Sequence, residues 1–297
     1  MNTYGKKIAY LLSLSLLMYA CDSNNNRADG YGNFEATEIT VSAEGTGKLI
    51  ALAIDEGDQL DERAVVGCID TTQLALQKAQ LNASRKKITA NSSSVLSQIT
   101  VYREQERTLE VEKARVTNLL KDSAATRKQL DDITGQLNVL HRQVASVRAQ
   151  NTAVLAELES LDAQIAQLED QIRKSVITNP AKGTVLIKYA EPGEVTSFGK
   201  PLYTIGMLDD MILRVYVSEV QLPSLRIGNK VEVRIDDAQG MRNLSGTISW
   251  ISASAEFTPK VIQTKEERVN LVYAVKVSVQ NDGSLKIGMP GEIWLNP

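Results

Sequence analysis

The sequence predicts a mixed α and β fold: a long antiparallel α-helical coiled-coil hairpin, inserted in a small split β-sandwich and followed by a small β-barrel. Three observations predict it. Apolar residues recur every seven positions on both sides of a short break, two similar β-like segments flank this region, and short alternating runs fill the C-terminal third. A rod of this kind bridges distance, so we expect function to depend on reach rather than on chemistry.

The heptad pattern forms one apolar column before the break and two columns after it. The first column is Leu74, Leu81, Ile88, Val95, Tyr102, Leu109 and Val116. The later columns are Leu130, Leu137, Val144, Asn151, Leu158, Ile165 and Ile172, and Ile133, Leu140, Val147, Val154, Leu161 and Leu168. Polar residues stand three positions after the first column, which indicates either a solvated face or contacts with neighbouring copies of the chain. The break, residues 121–125, has the length of a turn, so the helices should fold back on each other.

Both helices have recognisable start signals. Asp70 is expected to cap the first helix, with Gln73 in the capping-box position, and Thr126 with Gln129 repeats the signal for the second helix. Proline and glycine are absent between Asp70 and the break, so the first helix should run for about 50 residues, or about 75 Å.

The two β segments on either side of the hairpin share one order of motifs. Each has a glycine, an apolar strand, an acidic turn with a central glycine, and a second apolar strand; the turns are 55–58 and 191–194. Two halves that are each too small to bury a core should close on each other into one sandwich. The predicted boundaries are 35–69 and 175–206 for the sandwich, 70–174 for the hairpin, and 207–297 for the barrel.

The N-terminus has the features of a signal peptide. Lys6 and Lys7 precede an apolar run that is too short to span a bilayer and that stops at Ala20 and Cys21. Residues 1–20 are therefore predicted to be a lipoprotein signal peptide, with Cys21 as the lipidation site and 21–34 as a flexible tether. The alternative is an ordinary secretory peptide with an incidental cysteine. If Cys21 is lipidated, Cys68 has no partner within the chain and is expected to be a small buried apolar residue.

Composition argues against several other classes of function. The net charge of −3 does not favour nucleic-acid binding, and one histidine and two cysteines leave little material for a metal site. No nucleophile–base pair, phosphate loop or metal-ligand spacing is visible in the sequence. We therefore expect no enzymatic activity, no cofactor and no metal.

The order of these parts resembles that of the periplasmic adaptors of the membrane fusion protein, or hemolysin D, family. The segment 256–273 is similar to the branch that serves ABC-type exporters, and Gly288-Met289-Pro290-Gly291 is similar to the family's closing motif. The resemblance implies a lipoyl-like sandwich and an adaptor that links an inner-membrane exporter, of ABC type, to a TolC-like outer-membrane channel. It also implies a homo-oligomer, by family a hexamer, that is lipid-anchored in the periplasm of a Gram-negative bacterium, with Asp22 after Cys21 indicating the inner membrane.

In this family the hairpin tip docks on the channel through an Arg, a Leu four residues later and a Ser or Thr seven beyond that. Arg115, Leu119 and Thr126 match this spacing. The resemblance thus implies channel docking at these three residues; the alternative is that they serve stability alone.

Two rival functions use the same sequence features. One is a structural envelope lipoprotein whose coiled coil acts as a spacer or tether without transport. The other is an acyl carrier, but the hairpin occupies the place where a lipoyl domain carries its modified lysine, so no carrier chemistry is expected. Few residues precede the first strand, so a membrane-proximal domain is expected to be minimal or absent.

Overall fold

A computed structural model describes residues 28–237, 240–257 and 271–295. Two compact units are present: one contains residues 40–204, and the other contains the described residues up to 39 and from 205 onward. The predicted signal peptide, Cys21 and the segment 258–270 lie outside the described residues.

Two long helices form most of the first unit. Helix α1 spans Thr72–Lys121 and helix α2 spans Arg127–Lys174, so the predicted helices and the break between them are confirmed. Side-chain bonds between α1 and α2 show that the helices run antiparallel: Lys78–Glu169, Arg85–Asp162, Ser92–Asn151 and Glu106–His141. The polar stretch 91–94 continues α1 without interruption.

The seam between the helices follows the predicted columns on α2. Leu137, Leu140, Val144, Val147, Leu161, Ile165 and Leu168 are buried. On α1 the first column is half-buried along most of its length, and its companion positions lie four residues further on rather than three. Ser92 and Ile99 belong to this companion column and are buried, whereas the positions predicted to be a polar face are mostly exposed. The positions four residues after the first column face α2, because they supply the side chains that bond across to it.

One predicted helix start is wrong and the other is confirmed. The N-cap of α1 is Thr71, without a side-chain cap bond, and the carboxylate of Asp70 accepts from the amide of Thr72 at 2.8 Å. Asp70 therefore closes a local turn just before the helix, and Gln73 does not complete a capping box. On α2, Thr126 and Gln129 form the complete capping box.

The remainder of the first unit consists of short strands. They are β2 Gly47–Leu52, β3 Gln59–Leu60, β4 Val65–Ile69, β5 Val176–Thr178, β6 Gly183–Lys188 and β7 Val195–Thr196. Strands from before the hairpin pair with strands from after it, in the antiparallel pairs β4–β5, β2–β7 and β3–β6. The two halves of the unit therefore close on each other, and both ends of the hairpin are held where they meet.

The core of this unit contains one buried polar pair. Tyr203 and Asn179 are 0% and 1% exposed, and the Tyr203 hydroxyl donates to Asn179 Oδ1 at 3.2 Å. Burial raises the pKa of Tyr203 to about 12, so the phenol is neutral over the physiological range. Cys68, predicted to be buried, is a free thiol of intermediate exposure.

The second unit is a closed β-barrel. Two of its strands are β1 Gly30–Ser42 and β8 Pro201–Ser218, of which the residues up to 39 and from 205 belong to this unit. The others are β9 Lys230–Asp237, β10 Gly240–Ile251, β12 Leu271–Gln280 and β13 Pro290–Trp294, with the short β11 Glu256–Phe257 beside β12. The strand order is β12-β10-β9-β13-β1-β8, and β8 pairs back with β12. Met211, Leu213, Val215 and Ile293 from these strands are 0% exposed and form the barrel core.

Strand β1 corrects the predicted tether boundary. It begins at Gly30, so residues 30–34 are a strand rather than part of the tether 21–34, because their backbone pairs with β13 from Gly30 to Asn33. Gly32 is required for close packing: a Cβ atom there would lie 1.8 Å from the carbonyl oxygen of Arg214. The N-terminal segment is therefore an integral part of the barrel.

Candidate functional site

The free end of the helix pair is a tight turn with defined geometry. Ser123 follows α1 in the left-handed region, with φ 55°, and its N–H donates to the carbonyl of Leu120. The N–H of Ala124 donates to the carbonyl of Leu119 at 2.8 Å. This pair of bonds is a Schellman motif, which satisfies carbonyls at the end of α1 and turns the chain sharply toward α2.

Two of the three predicted docking residues share one face of α1. Arg115 and Leu119 are separated by one helical turn, and Leu119 is 40% exposed. Nη1 of Arg115 donates to Oε2 of Glu112 at 2.8 Å, and 65% of the Arg115 side chain is exposed. The guanidinium group therefore keeps donors available to a partner, beside an exposed apolar side chain.

Thr126, the third predicted residue, begins α2 immediately after the turn. Its Oγ1 accepts from the backbone N–H of Gln129 at 3.3 Å and lies 3.1 Å from Gln129 Oε1, and its own N–H donates to Gln129 Oε1 at 2.8 Å. The hydroxyl is thus engaged in capping, although the residue is exposed. The structure assigns it a stabilising role, and a contact with a partner would use its outer surface.

The sequence did not reveal a groove just below the tip. This groove, about 500 Å³ in volume, is lined by Lys113, Thr117, Leu137 and His141 among others. At 100° per residue, Thr117 lies on the side of α1 opposite Arg115. The tip therefore presents two different surfaces: the face with Arg115 and Leu119, and a groove of mixed polar and apolar lining.

Ion pairs between α1 and α2 in the base half of the hairpin share one register. The hydrogen bond from Lys78 lowers the pKa of Glu169, and the hydrogen bond to Asp162 raises the pKa of Arg85. Both effects favour the charged forms. In an antiparallel pair of helices with one register, the numbers of the paired residues add up to a nearly constant sum. The bonds along the seam meet this condition, so they all belong to the same register of α1 against α2. A shift of one residue would break them together.

The described part of the chain contains neither a metal-ligand cluster nor a membrane-spanning helix. In the ranges 28–237, 240–257 and 271–295, no cluster of three or more His, Cys, Asp or Glu side chains has a geometry that could hold a metal ion. Neither α1 nor α2 contains an apolar stretch of the length needed to span a bilayer, and no other helix in these ranges does.

A pair of long antiparallel helices that emerges between two β segments, with a β-barrel in the same chain, is the architecture of the membrane fusion proteins, or periplasmic adaptors. The solved structure of MacA from Actinobacillus actinomycetemcomitans aligns with this chain at a TM-score of 0.58 and 19% identity. The alignment covers 89% of this chain and 76% of that one. The predicted resemblance is confirmed at the level of the fold: the chain has the membrane fusion protein fold.

Two relatives match most of the sequence. UPF0194 membrane protein YE2891 of Yersinia enterocolitica is 29% identical over 285 residues, covering 88% of this chain and 87% of that protein. UPF0194 membrane protein Ent638_1286 of Enterobacter sp. strain 638 is 26% identical over 296 residues, covering 90% and 88%. No family model matches the chain.

Proposed function

We propose that this protein is a non-enzymatic periplasmic adaptor that links an inner-membrane exporter, of ABC type, to a TolC-like outer-membrane channel. The observation that carries the proposal is the helix pair. Its first helix has 50 residues, which corresponds to about 75 Å, and it ends in a tightly ordered, exposed tip. The membrane fusion protein fold and the names of the relatives, which are membrane proteins, support this role.

The domain boundaries that we propose follow from the pairing of strands before the hairpin with strands after it. We assign residues 35–69 and 175–206 to a split lipoyl-like domain, 70–174 to a two-stranded coiled-coil hairpin and 207–297 to the barrel. The pairing of β4 with β5, and of β2 with β7, supports a single sandwich built from both halves. The seven-residue spacing of the buried positions on α2 supports coiled-coil packing.

The proposal includes a lipid anchor and self-assembly. Cys21 would carry the lipid after removal of residues 1–20 and hold the protein at the inner membrane, facing the periplasm. Copies of the chain would assemble side by side, by family resemblance into a hexamer. Large apolar residues that are exposed on the outer faces of the helices, including Leu76 at 60% and Val139 at 57%, support contacts between hairpins.

At the tip, Arg115 would donate to carbonyl or carboxylate oxygens of the channel, and Leu119 would enter an apolar groove. The exposed guanidinium fork suits oxygen acceptors, and its pairing with Glu112 within the same turn holds it in place. Thr126 would contribute its outer surface while it caps α2.

The test is Arg115→Asp in a strain that lacks the chromosomal copy. We expect loss of export and loss of co-purification of the outer-membrane channel, because a carboxylate at this position repels the acceptors that the guanidinium binds. Arg107→Asp is the matched control, since Arg107 pairs with Glu104 three residues earlier and is similarly exposed. Normal export by Arg115→Asp would rule out the docking role. Absence of both an exporter and a channel from purified wild-type protein would favour the envelope spacer.

A further inference from the structure

We propose that one rim of the barrel, where residue 29 enters, rests on the surface of an anionic lipid bilayer. The proposal rests on the lipid anchor at Cys21 that is part of the proposed function. It adds a second point of attachment that belongs to the folded domain, and it identifies the side chains that make it.

The strand registers define this rim. Gly30 is opposite Ile293, Ser218 is opposite Val272, and Lys230 is opposite Thr247. Trp294 is opposite Glu232, and a Cβ atom on Gly30 would lie 3.2 Å from the carbonyl oxygen of Tyr216. The start of β1 and the end of β13 therefore lie at the same end of the barrel as the end of β8 and the start of β9. We call this end, with its connecting segment 219–229, the anchor rim.

Asp29 fastens the N-terminal segment to the anchor rim. Its N–H donates to the carbonyl of Ile293 at 2.9 Å, and its Oδ2 accepts from the N–H of Leu295 at 2.8 Å. Its Oδ1 accepts from Nε2 of Gln221 at 3.1 Å, in the segment that follows β8. A pull on the chain before Asp29 is thus transmitted to two separate parts of the rim.

The length of chain between the anchor and this clamp is short. Seven residues, 22–28, separate Cys21 from Asp29. Even fully extended, this segment reaches at most about 28 Å. A lipid on Cys21 would therefore keep the anchor rim within about 28 Å of the bilayer and limit how far the barrel can move away from it.

Apolar side chains are exposed at the anchor rim. Val220 is 89% exposed, directly before Gln221, and Ile227 is 67% exposed in the same connecting segment. Leu271, at the start of β12, is 50% exposed. Most apolar side chains of the barrel interior are almost fully buried, so these three exposed side chains contribute little to the core. Transfer of such side chains into a bilayer interface is favourable in proportion to the apolar area that they bury there.

The charges beside these apolar residues suit an anionic surface. Arg226 and Lys230 flank Ile227 in sequence and are exposed. The carboxylates at this rim are Glu219, which is exposed beside Val220, and Asp29, whose two oxygens accept the hydrogen bonds from Leu295 and Gln221. Basic residues near an anionic membrane surface are attracted to it. The segment 219–230 therefore presents the exposed apolar and basic side chains that the surface of a bilayer with anionic lipid attracts.

The experiment measures the depth of the rim in the full-length, lipidated protein. Val220→Cys and Ile227→Cys are made in a Cys68→Ser background and labelled with an environment-sensitive fluorophore, and the protein is reconstituted into vesicles of phosphatidylethanolamine and phosphatidylglycerol. Met241→Cys is the control, because Met241 is 52% exposed on β10 at the opposite end of the barrel. We expect blue-shifted emission and quenching by brominated acyl chains at residues 220 and 227, and neither effect at 241.

The result separates this inference from the proposed function. Intact mass and flotation with the vesicles report the lipid on Cys21, and the export test reports the adaptor role. A protein that floats but shows no quenching at residues 220 and 227 overturns the rim contact. Labels that are protected only when an inner-membrane protein is present would also overturn it, in favour of a protein partner. Quenching that weakens when phosphatidylcholine replaces phosphatidylglycerol would support the role of Arg226 and Lys230.

Discussion

The barrel interior and the helix pair bury their apolar residues to different extents. Leu213 and Val277 in the barrel are 0% exposed, whereas Leu140 and Val144 in the helix seam retain 8% and 7% exposure. A closed barrel surrounds each core side chain, but two helices cover each other along only one face. The helix pair therefore gains less free energy from its own packing and leaves apolar faces for other partners.

The unfolding of the barrel and that of the helix pair can be followed separately by spectroscopy. Both tryptophans, Trp250 and Trp294, lie on strands of the barrel, so their fluorescence follows unfolding of that unit. The circular dichroism signal at 222 nm is dominated by α1 and α2. Unfolding by urea followed with both probes should show two transitions, since a chain with two compact units need not unfold in one step.

The largest effect is expected from Leu213→Ala in the barrel core. Removal of this fully buried side chain should lower the free energy of unfolding of the barrel by about 4 kcal/mol, from lost burial and the cavity left behind. The fluorescence transition should move to lower urea concentration. A loss smaller than about 2 kcal/mol would mean that the closed barrel relaxes to fill the space.

Leu140→Ala should have a smaller effect and act on the other probe. We expect a loss of about 2 kcal/mol in the unfolding transition of the helices, at the low end for such substitutions because the site is not fully enclosed. Val139→Ala is the control: Val139 directly precedes Leu140, is 57% exposed, and should change stability little when truncated. If Leu140→Ala costs as much as Leu213→Ala, the proposed difference between the regions is wrong.

Thr126→Ala should cost about 1 kcal/mol, because it removes the cap oxygen that accepts from Gln129. Thr126→Asn retains an N-cap acceptor and should keep the stability of the helices, as measured by circular dichroism. Loss of channel binding in Thr126→Asn with unchanged stability would show that the residue also contacts the partner. Normal binding in this variant would restrict Thr126 to capping.

The smallest effect, and the only stabilising one, is expected from Ser123→Gly. Ser123 has φ 55°, a conformation that glycine adopts without the steric cost of a Cβ atom. The helix transition should gain about 0.5 to 1 kcal/mol. Asp122→Gly serves as the comparison, since Asp122 has φ −87° and should lose stability. Equal effects at both positions would argue against strain at Ser123.

The sequence allowed prediction of features that depend on local, periodic signals. The buried columns of α2, the turn near residue 123 and the capping box at Thr126 follow from spacing along one helix. Asp70 was assigned wrongly as N-cap because the same carboxylate can close a turn one residue earlier. The polar positions three residues after the first column of α1 are mostly exposed, in agreement with the solvated-face alternative. The bond between Ser92 and Asn151 on α2 could not be predicted, because no pattern within α1 reveals a partner on the other helix.

By itself the sequence determined the helix pair, its length and the β segments on either side, since these depend on period and on turn residues. Only the tertiary structure decided that the strands around the hairpin interleave and that β1, at the N-terminus, closes the barrel against β13. It also decided that Asp29 joins Leu295 and Gln221 at one rim. Pairs so far apart in the chain depend on closure of the whole sheet, and no local preference encodes that closure.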